Sequence, residues 1–142
     1  MVVPFSEGEE IDCVYDSQGV YSAPTRTVYK EDLLLTDWHG DAKAIKWYFP
    51  RCCGDGVVGY RYPSGETFTM RFDRKVLRYL GIWMDFGLVN GTYSVGLEPC
   101  TLGYDTVLNA LEYGQSGDIE DTLHFYVELS VDGGESGCQY AL

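Results

Sequence analysis

The chain has 142 residues, of which 45% are hydrophobic and 15% are aromatic, and its formal net charge is −12. This length suits one domain that buries roughly two-thirds of the surface of its unfolded chain. The negative charge would repel phosphate groups, which argues against nucleic acid and anionic membranes as partners. A neutral ligand such as a sugar is unaffected by it.

The residue types predict a β-rich protein. Seventeen glycines indicate many turns, and twelve tyrosines favour strands with polar-tipped aromatic side chains. No window approaches eighteen uninterrupted apolar residues, and the N-terminus has neither a basic segment nor an apolar segment of a signal peptide. We therefore expect a cytoplasmic protein with no membrane association.

The cysteines do not indicate a metal site. Their number, five, is odd, and the sequence has neither a C-x-x-C pair nor a histidine at ligand spacing. Reduced thiols are the simpler interpretation. We expect no metal and no cofactor.

Period-two alternation of apolar and polar residues predicts strands along most of the chain. The predicted strands cover residues 25–30, 43–49, 57–62, 66–72, 79–86, 92–98 and 122–131. Pro63-Ser64-Gly65 and Asn90-Gly91 are hairpin turn signals, because proline fixes φ and glycine tolerates a tight corner. The sequence therefore predicts one all-β domain over residues 1–142, a mostly antiparallel β-sandwich.

One short helix is predicted over residues 105–112. Asp105 is a candidate N-cap, Val107, Leu108 and Leu111 form an apolar stripe, and Gly114 ends the helix. The Gly-rich residues 132–142 predict a loosely ordered tail.

The strands Tyr79-Leu80-Gly81-Ile82-Trp83 and Val95-Gly96-Leu97-Glu98-Pro99-Cys100 are the most informative part of the sequence. Successive residues of a strand face opposite sides, so the alternate residues Gly81, Trp83 and Asp85 share one face. The second strand has one face of small residues, where a ligand could approach, and that face ends in Glu98. An aromatic ring and a carboxylate on a flat wall are typical of sugar sites; the alternative is a solvated glutamate at a strand end.

This region resembles the C-terminal part of the galactose mutarotase-like proteins, the aldose 1-epimerase superfamily. The resemblance is carried by Gly81-Ile82-Trp83, by Leu97-Glu98-Pro99-Cys100-Thr101 and, displaced by one residue, by Asp105-Thr106-Val107-Leu108-Asn109-Ala110. It covers about residues 79–131. The resemblance implies a sandwich fold and a hexose ligand, with Glu98 as the general base that takes the proton from the anomeric hydroxyl.

No residue of this chain matches the histidine that serves as the general acid of that family. His39 lies in a loop-like run and His124 lies on the polar face of the last predicted strand, and for both the ordinary solvated role is the preferred interpretation. The sequence therefore leaves three interpretations open. The first is an aldose 1-epimerase with Glu98 as base, and the second is a non-catalytic sugar-binding or regulatory module. The third is a β-domain without a sugar function, which would apply if the side chains around Glu98 are packed rather than open.

Four further side chains are candidates for substrate binding: Trp83, Asp85, Lys46 and Arg71. Trp83 could stack on a sugar or pack in the core, and Lys46 and Arg71 could donate to hydroxyls or belong to ordinary sheet surface. Asp85 with Glu98 would form a glycosidase-like carboxylate pair, a weaker alternative.

The resemblance covers only part of a larger sandwich. Strands that would pair with the missing part would present open edges and apolar faces. We therefore expect either a homodimer, in which a second copy covers that surface, or a different, smaller sandwich.

Overall fold

The computed structural model describes residue 2 and residues 7–15, 25–28, 41–49, 56–104, 106–114 and 122–133. The strands are β1 (Glu10–Tyr15), β2 (Thr25–Val28), β3 (Lys43–Phe49), β4 (Val57–Arg61), β5 (Thr67–Phe72), β6 (Tyr79–Phe86), β7 (Tyr93–Cys100) and β8 (Val127–Asp132). A single turn-and-a-half of helix, α1 (Val107–Glu112), follows β7.

The strands form two antiparallel sheets. The five-stranded sheet has the order β2-β1-β3-β6-β7, and the three-stranded sheet has the order β4-β5-β8. This arrangement confirms the predicted all-β, sandwich-like fold with one short helix. Val2 adds an isolated bridge to Gly59 on β4.

The core lies between the two sheets because alternate residues of the central strands are apolar. In the five-stranded sheet, most core side chains come from β3 and β6. In the three-stranded sheet, they come from β4 and β5. The buried core residues are Trp47, Phe49, Val58, Phe72, Leu77, Leu80, Ile82, Met84 and Phe86. The polar faces of β3, β6 and β7 are therefore turned away from the core, onto the outer face of the five-stranded sheet.

Both predicted hairpin turns form. The amide of Gly65 donates to the carbonyl of Tyr62, which closes a turn with Pro63 at its second position. Asn90 and Gly91 both have positive φ, 53° and 68°, and Thr92 donates to the carbonyl of Val89. This pair of left-handed residues is the reason for the Asn-Gly signal.

Strands β2, β4, β5 and β7 begin and end within two residues of their predicted bounds, and three other elements differ more. Strand β1 was not predicted. Strand β8 begins at Val127 rather than at residue 122, and Asp132, predicted to start the loose tail, is its last residue. The N-cap of α1 is Thr106, whose hydroxyl accepts from the amide of Asn109, whereas Asp105 is outside the described residues.

The predicted stripe of α1 does not face the core. Val107, Leu108 and Leu111 are exposed, and Ala110 is the buried residue of the helix. The helix makes fewer than two turns. The side chain that it packs toward the sheet is that of Ala110, which is buried with Tyr48 and Tyr104. Residues 134–142 of the predicted tail are also outside the described part of the chain.

Within the described residues, no helix has both the length and the apolar character that crossing a bilayer requires. The same residues contain no group of three or more histidine, cysteine or acidic side chains that could hold a metal ion.

Candidate functional site

The centre of the candidate site is an ion pair between Lys46 and Glu98. Lys46 lies on β3 and Glu98 on β7, and β6 runs between them in the five-stranded sheet. The Lys46 Nζ lies 2.6 Å from the Glu98 Oε2. The lysine side chain is only 8% exposed and the glutamate side chain is 40% exposed, so the ammonium forms the floor and the carboxylate forms the rim.

Two glycines make room for this contact. Glu98 is opposite Gly81 on β6, and Gly96 precedes it on its own face of β7. A Cβ atom on Gly81 would lie 3.2 Å from the Glu98 Oε2, and one on Gly96 would lie 3.3 Å from the Glu98 Oε1. The small residues predicted to admit a ligand therefore accommodate the Glu98 side chain itself, which lies down across β6 toward Lys46.

Aromatic residues surround the ion pair. Trp83 is the direct cross-strand partner of both Lys46 and Gly96, and its side chain is half-buried. The Lys46 ammonium lies 5.2 Å from the centre of the Tyr48 ring, within the range of a cation–π contact. We call the surface formed by Lys46, Tyr48, Gly81, Trp83, Gly96 and Glu98 the Glu98 face.

A row of tyrosines extends this surface toward α1. The ring centres of Tyr48 and Tyr104 are 5.7 Å apart, and those of Tyr104 and Tyr113 are 5.3 Å apart. Tyr104 is buried and has a φ of 77°, an uncommon conformation for a residue with a side chain. None of these tyrosines was among the predicted site residues. The alternation of β3 puts Tyr48 beside Lys46, but Tyr104 has no comparable signal.

The charges of the Glu98 face also act on Cys100, at the end of β7. Burial, followed by the nearby Glu98 carboxylate, raises the pKa of the Cys100 thiol to about 11. The Cys100 Sγ donates to the carbonyl oxygen of Tyr79 at 3.7 Å. Cys100 is therefore a neutral, weakly reactive thiol at physiological pH.

Asp85 lies on the same side of the sheet as Trp83 but has a structural role at the end of β6. It is almost completely buried, and its carboxylate accepts hydrogen bonds from the amides of Leu88, at 2.8 Å, and Val89, at 3.1 Å. These bonds hold the first residues of the turn between β6 and β7. The structure gives Asp85 no contact with the Lys46–Glu98 pair.

Arg71 is not brought to the Glu98 face. It lies on β5, and it alternates with the core-facing residues Met70 and Phe72, so its side chain is on the outer side of the three-stranded sheet. His124 is exposed in the segment that leads into β8 of that same sheet. His39, the other histidine, lies outside the described residues.

A cavity of about 540 Å³ lies on the opposite side of β7, between the two sheets. Its lining is mostly apolar and aromatic, and it includes Leu97 and Val95 but not Glu98. The Glu98 carboxylate, on a side chain that is 40% exposed, therefore lies on the other face of the sheet from this cavity.

Comparisons with protein-family models, curated proteins and solved structures found no match to the chain. The resemblance to the mutarotase-like proteins accordingly stays a prediction.

Proposed function

We propose that the chain is a carbohydrate-binding protein whose ligand site is the Glu98 face. The observation that carries this proposal is the Lys46–Glu98 ion pair beside the half-buried Trp83 on a sheet surface. The proposed ligand is a neutral sugar, in keeping with the net charge of −12.

The chemistry of the three side chains suits a sugar. A carboxylate accepts hydrogen bonds from hydroxyls, and an ammonium donates to hydroxyl oxygens, so the adjacent pair matches two neighbouring hydroxyls on one ring. Charged partners make such hydrogen bonds stronger than neutral ones. The face of Trp83 offers an apolar surface to the C–H side of the same ring.

The geometry favours binding over catalysis. An epimerase base must be poised to take a proton from the anomeric hydroxyl, and a second group must protonate the ring oxygen. Here one oxygen of Glu98 is already engaged by the Lys46 ammonium, and the described part of the chain supplies no histidine at the Glu98 face. We therefore favour the non-catalytic module over the aldose 1-epimerase.

The test is a titration with a panel of neutral aldoses, followed by NMR of the protein and by tryptophan fluorescence. We expect dissociation constants of about 1 mM, typical of a shallow site with few contacts. Trp83→Leu, which leaves the ion pair intact, should weaken binding about tenfold, the loss expected for one aromatic contact. Tyr126→Leu, an exposed aromatic next to β8 of the other sheet and outside the cavity lining, is the matched control and should bind like the parent.

Polarimetry of the same sugars separates the two functions. If the parent protein accelerates anomer interconversion and Glu98→Gln does not, even at sugar concentrations that saturate the variant, Glu98 acts as a base and the epimerase is the correct function. Binding without acceleration supports the module. Absence of any shift with every aldose would contradict the sugar site itself.

A further inference from the structure

Strand β8 presents an apolar surface that the rest of the described chain leaves open. All six of its residues are exposed, although its sequence alternates as a half-buried strand does. Val127, Leu129 and Val131, which we call the β8 stripe, are opposite Phe72, Met70 and Phe68 of β5. The stripe is therefore on the core-facing side of the three-stranded sheet, yet Leu129 is 53% exposed and Val131 is 63% exposed.

The backbone of β8 is open as well. It is an edge strand of its sheet, and no other strand among the described residues pairs with its outer side. An edge strand presents a row of unpaired N–H and C=O groups that another strand can use. Natural edges are protected by charged residues, proline or a bulge. Strand β8 contains no proline and no lysine, and its charged residues are Glu128 and Asp132.

We propose that β8 pairs with β8 of a second copy, antiparallel, about a two-fold axis that passes through Leu129. Residues directly opposite each other in an antiparallel pair lie on the same face, so only a register centred on a residue keeps the two stripes together. Centring on Leu129 puts Leu129 opposite itself and Val127 opposite Val131 of the second copy. This register overlaps the whole stripe of both strands.

The acidic residues of β8 select the same register. With the axis at Leu129, Glu128 is opposite Ser130 of the second copy, and no two acids meet. With the axis at Ser130, Glu128 would be opposite Asp132, and with the axis at Glu128, that residue would be opposite itself. Like charges directly across a strand pair are destabilising, so the neighbouring registers are disfavoured.

The resulting assembly is a continuous six-stranded sheet with the stripe on one face. The two-fold axis is perpendicular to the sheet, so both stripes stay on the side that faces the cores. Phe68 and Met70, the β5 neighbours of the stripe, also line the cavity of about 540 Å³, which therefore lies beside the new contact. A single pair of six-residue strands buries less surface than the about 800 Å² per partner that is typical of stable complexes. We therefore expect an affinity in the micromolar range.

The test is analytical ultracentrifugation of the full chain from about 1 to 200 µM, a range that spans micromolar dissociation constants. We expect a concentration-dependent dimer. Raising the salt to about 0.5 M should increase the dimer fraction, because two chains of charge −12 repel each other and salt screens that repulsion. Leu129→Lys should be monomeric over the whole range, because the axis brings the two introduced lysines together.

Ser130→Lys is the matched control. It adds the same charge to the next residue of the same exposed strand, but the introduced lysine would be opposite Glu128 of the second copy. We expect its dimer to be at least as tight as that of the parent. Circular dichroism checks that both variants keep the parent's β-sheet content.

Three results would overturn the proposal. One is a parent that stays monomeric at the highest concentration, above all if its β8 amides are protected from hydrogen exchange, since the edge is then covered within one chain. Another is a dimer that survives Leu129→Lys. The third is dissociation by Ser130→Lys equal to that by Leu129→Lys, which would place the axis elsewhere.

Discussion

The Glu98 face and the β8 stripe depart from ordinary surface chemistry in opposite directions. At the Glu98 face, an ammonium that would ordinarily be solvated is buried, and Lys46 has an 8% exposed side chain. At the β8 stripe, side chains that would ordinarily be buried are open, and Leu129 is 53% exposed. The first region contains its compensation within the chain, since Glu98 neutralises Lys46. The described part of the chain supplies no cover for the second.

This difference separates two kinds of functional surface. A buried charge costs free energy unless it is paired, so a paired one on an outer sheet face indicates a local arrangement with its own chemistry. An exposed apolar stripe on a sheet edge indicates a missing partner. For that reason we propose ligand binding at the Glu98 face and self-association at the β8 stripe.

The largest expected effect is the difference in stability between a leucine-to-alanine substitution in the packed core and the same substitution in the β8 stripe. Leu80→Ala empties a completely buried core position on β6 and should lower the free energy of unfolding by about 2–5 kcal/mol. Leu129→Ala should cost less than about 1 kcal/mol in the monomer, because half of that side chain is already in water. Urea denaturation at low micromolar concentration measures both. An equal cost for the two variants would mean that the stripe is packed within one chain.

The ion pair of the Glu98 face predicts an intermediate and asymmetric effect. Glu98→Gln leaves a buried ammonium without its counter-charge and should cost about 1–3 kcal/mol, less than a fully buried pair because the carboxylate is partly solvated. Lys46→Met removes the buried charge and leaves a carboxylate that water can reach, so its cost should be smaller, about 0–1 kcal/mol.

The double variant tests whether the two side chains act together. Lys46→Met with Glu98→Gln should be more stable than Glu98→Gln alone, because no unpaired charge is then buried. Additive costs in thermal and urea denaturation would argue against the coupling. Glu98→Gln and the double variant should also lose sugar affinity, whereas Leu129→Ala should keep it. This comparison separates effects on stability from effects on binding.

The regular parts of the fold were predictable from local pattern. Strand β3 was predicted with its exact bounds, because period-two alternation is unbroken from Lys43 to Phe49, and the Asn90-Gly91 turn follows from its two left-handed residues. Strand β1 was missed although Ile11 and Cys13 alternate with acidic neighbours.

For the site, the sequence predicted individual residues but not their spatial arrangement. Lys46, Trp83 and Glu98 were each named, but their meeting depends on the strand order β3-β6-β7, which no local pattern encodes. Arg71 has the same pattern as Lys46 and lies on the other sheet. Similarly, the alternation of β8 predicts an apolar face correctly, but whether that face is covered depends on a partner outside the strand.

The smallest expected effect uses Cys100 as a reporter of the Glu98 face. Burial and the Glu98 carboxylate raise the pKa of its thiol to about 11, so at neutral pH its thiolate fraction should be about 100-fold below that of an unburied cysteine. Because the folded pKa is raised, the neutral thiol stabilises the folded state below pH 9, and this contribution is lost as the pH rises from 9 through about 11. Alkylation at Cys100, followed by mass spectrometry across this pH range, locates the inflection of the rate.

Glu98→Gln removes the second cause of this raised pKa and leaves the first. The inflection should therefore move to lower pH, and alkylation at neutral pH should become several-fold faster. Leu129→Ala is the control, because it alters an exposed residue of the other sheet and should leave the inflection unchanged. An inflection that does not move in Glu98→Gln would mean that the carboxylate exerts no field on the end of β7, and that the charges of the Glu98 face are more fully solvated than an 8% exposed Lys46 implies. A shift confined to the Glu98 variant would instead show that the face is a low-dielectric surface, on which hydrogen bonds to a sugar hydroxyl gain strength.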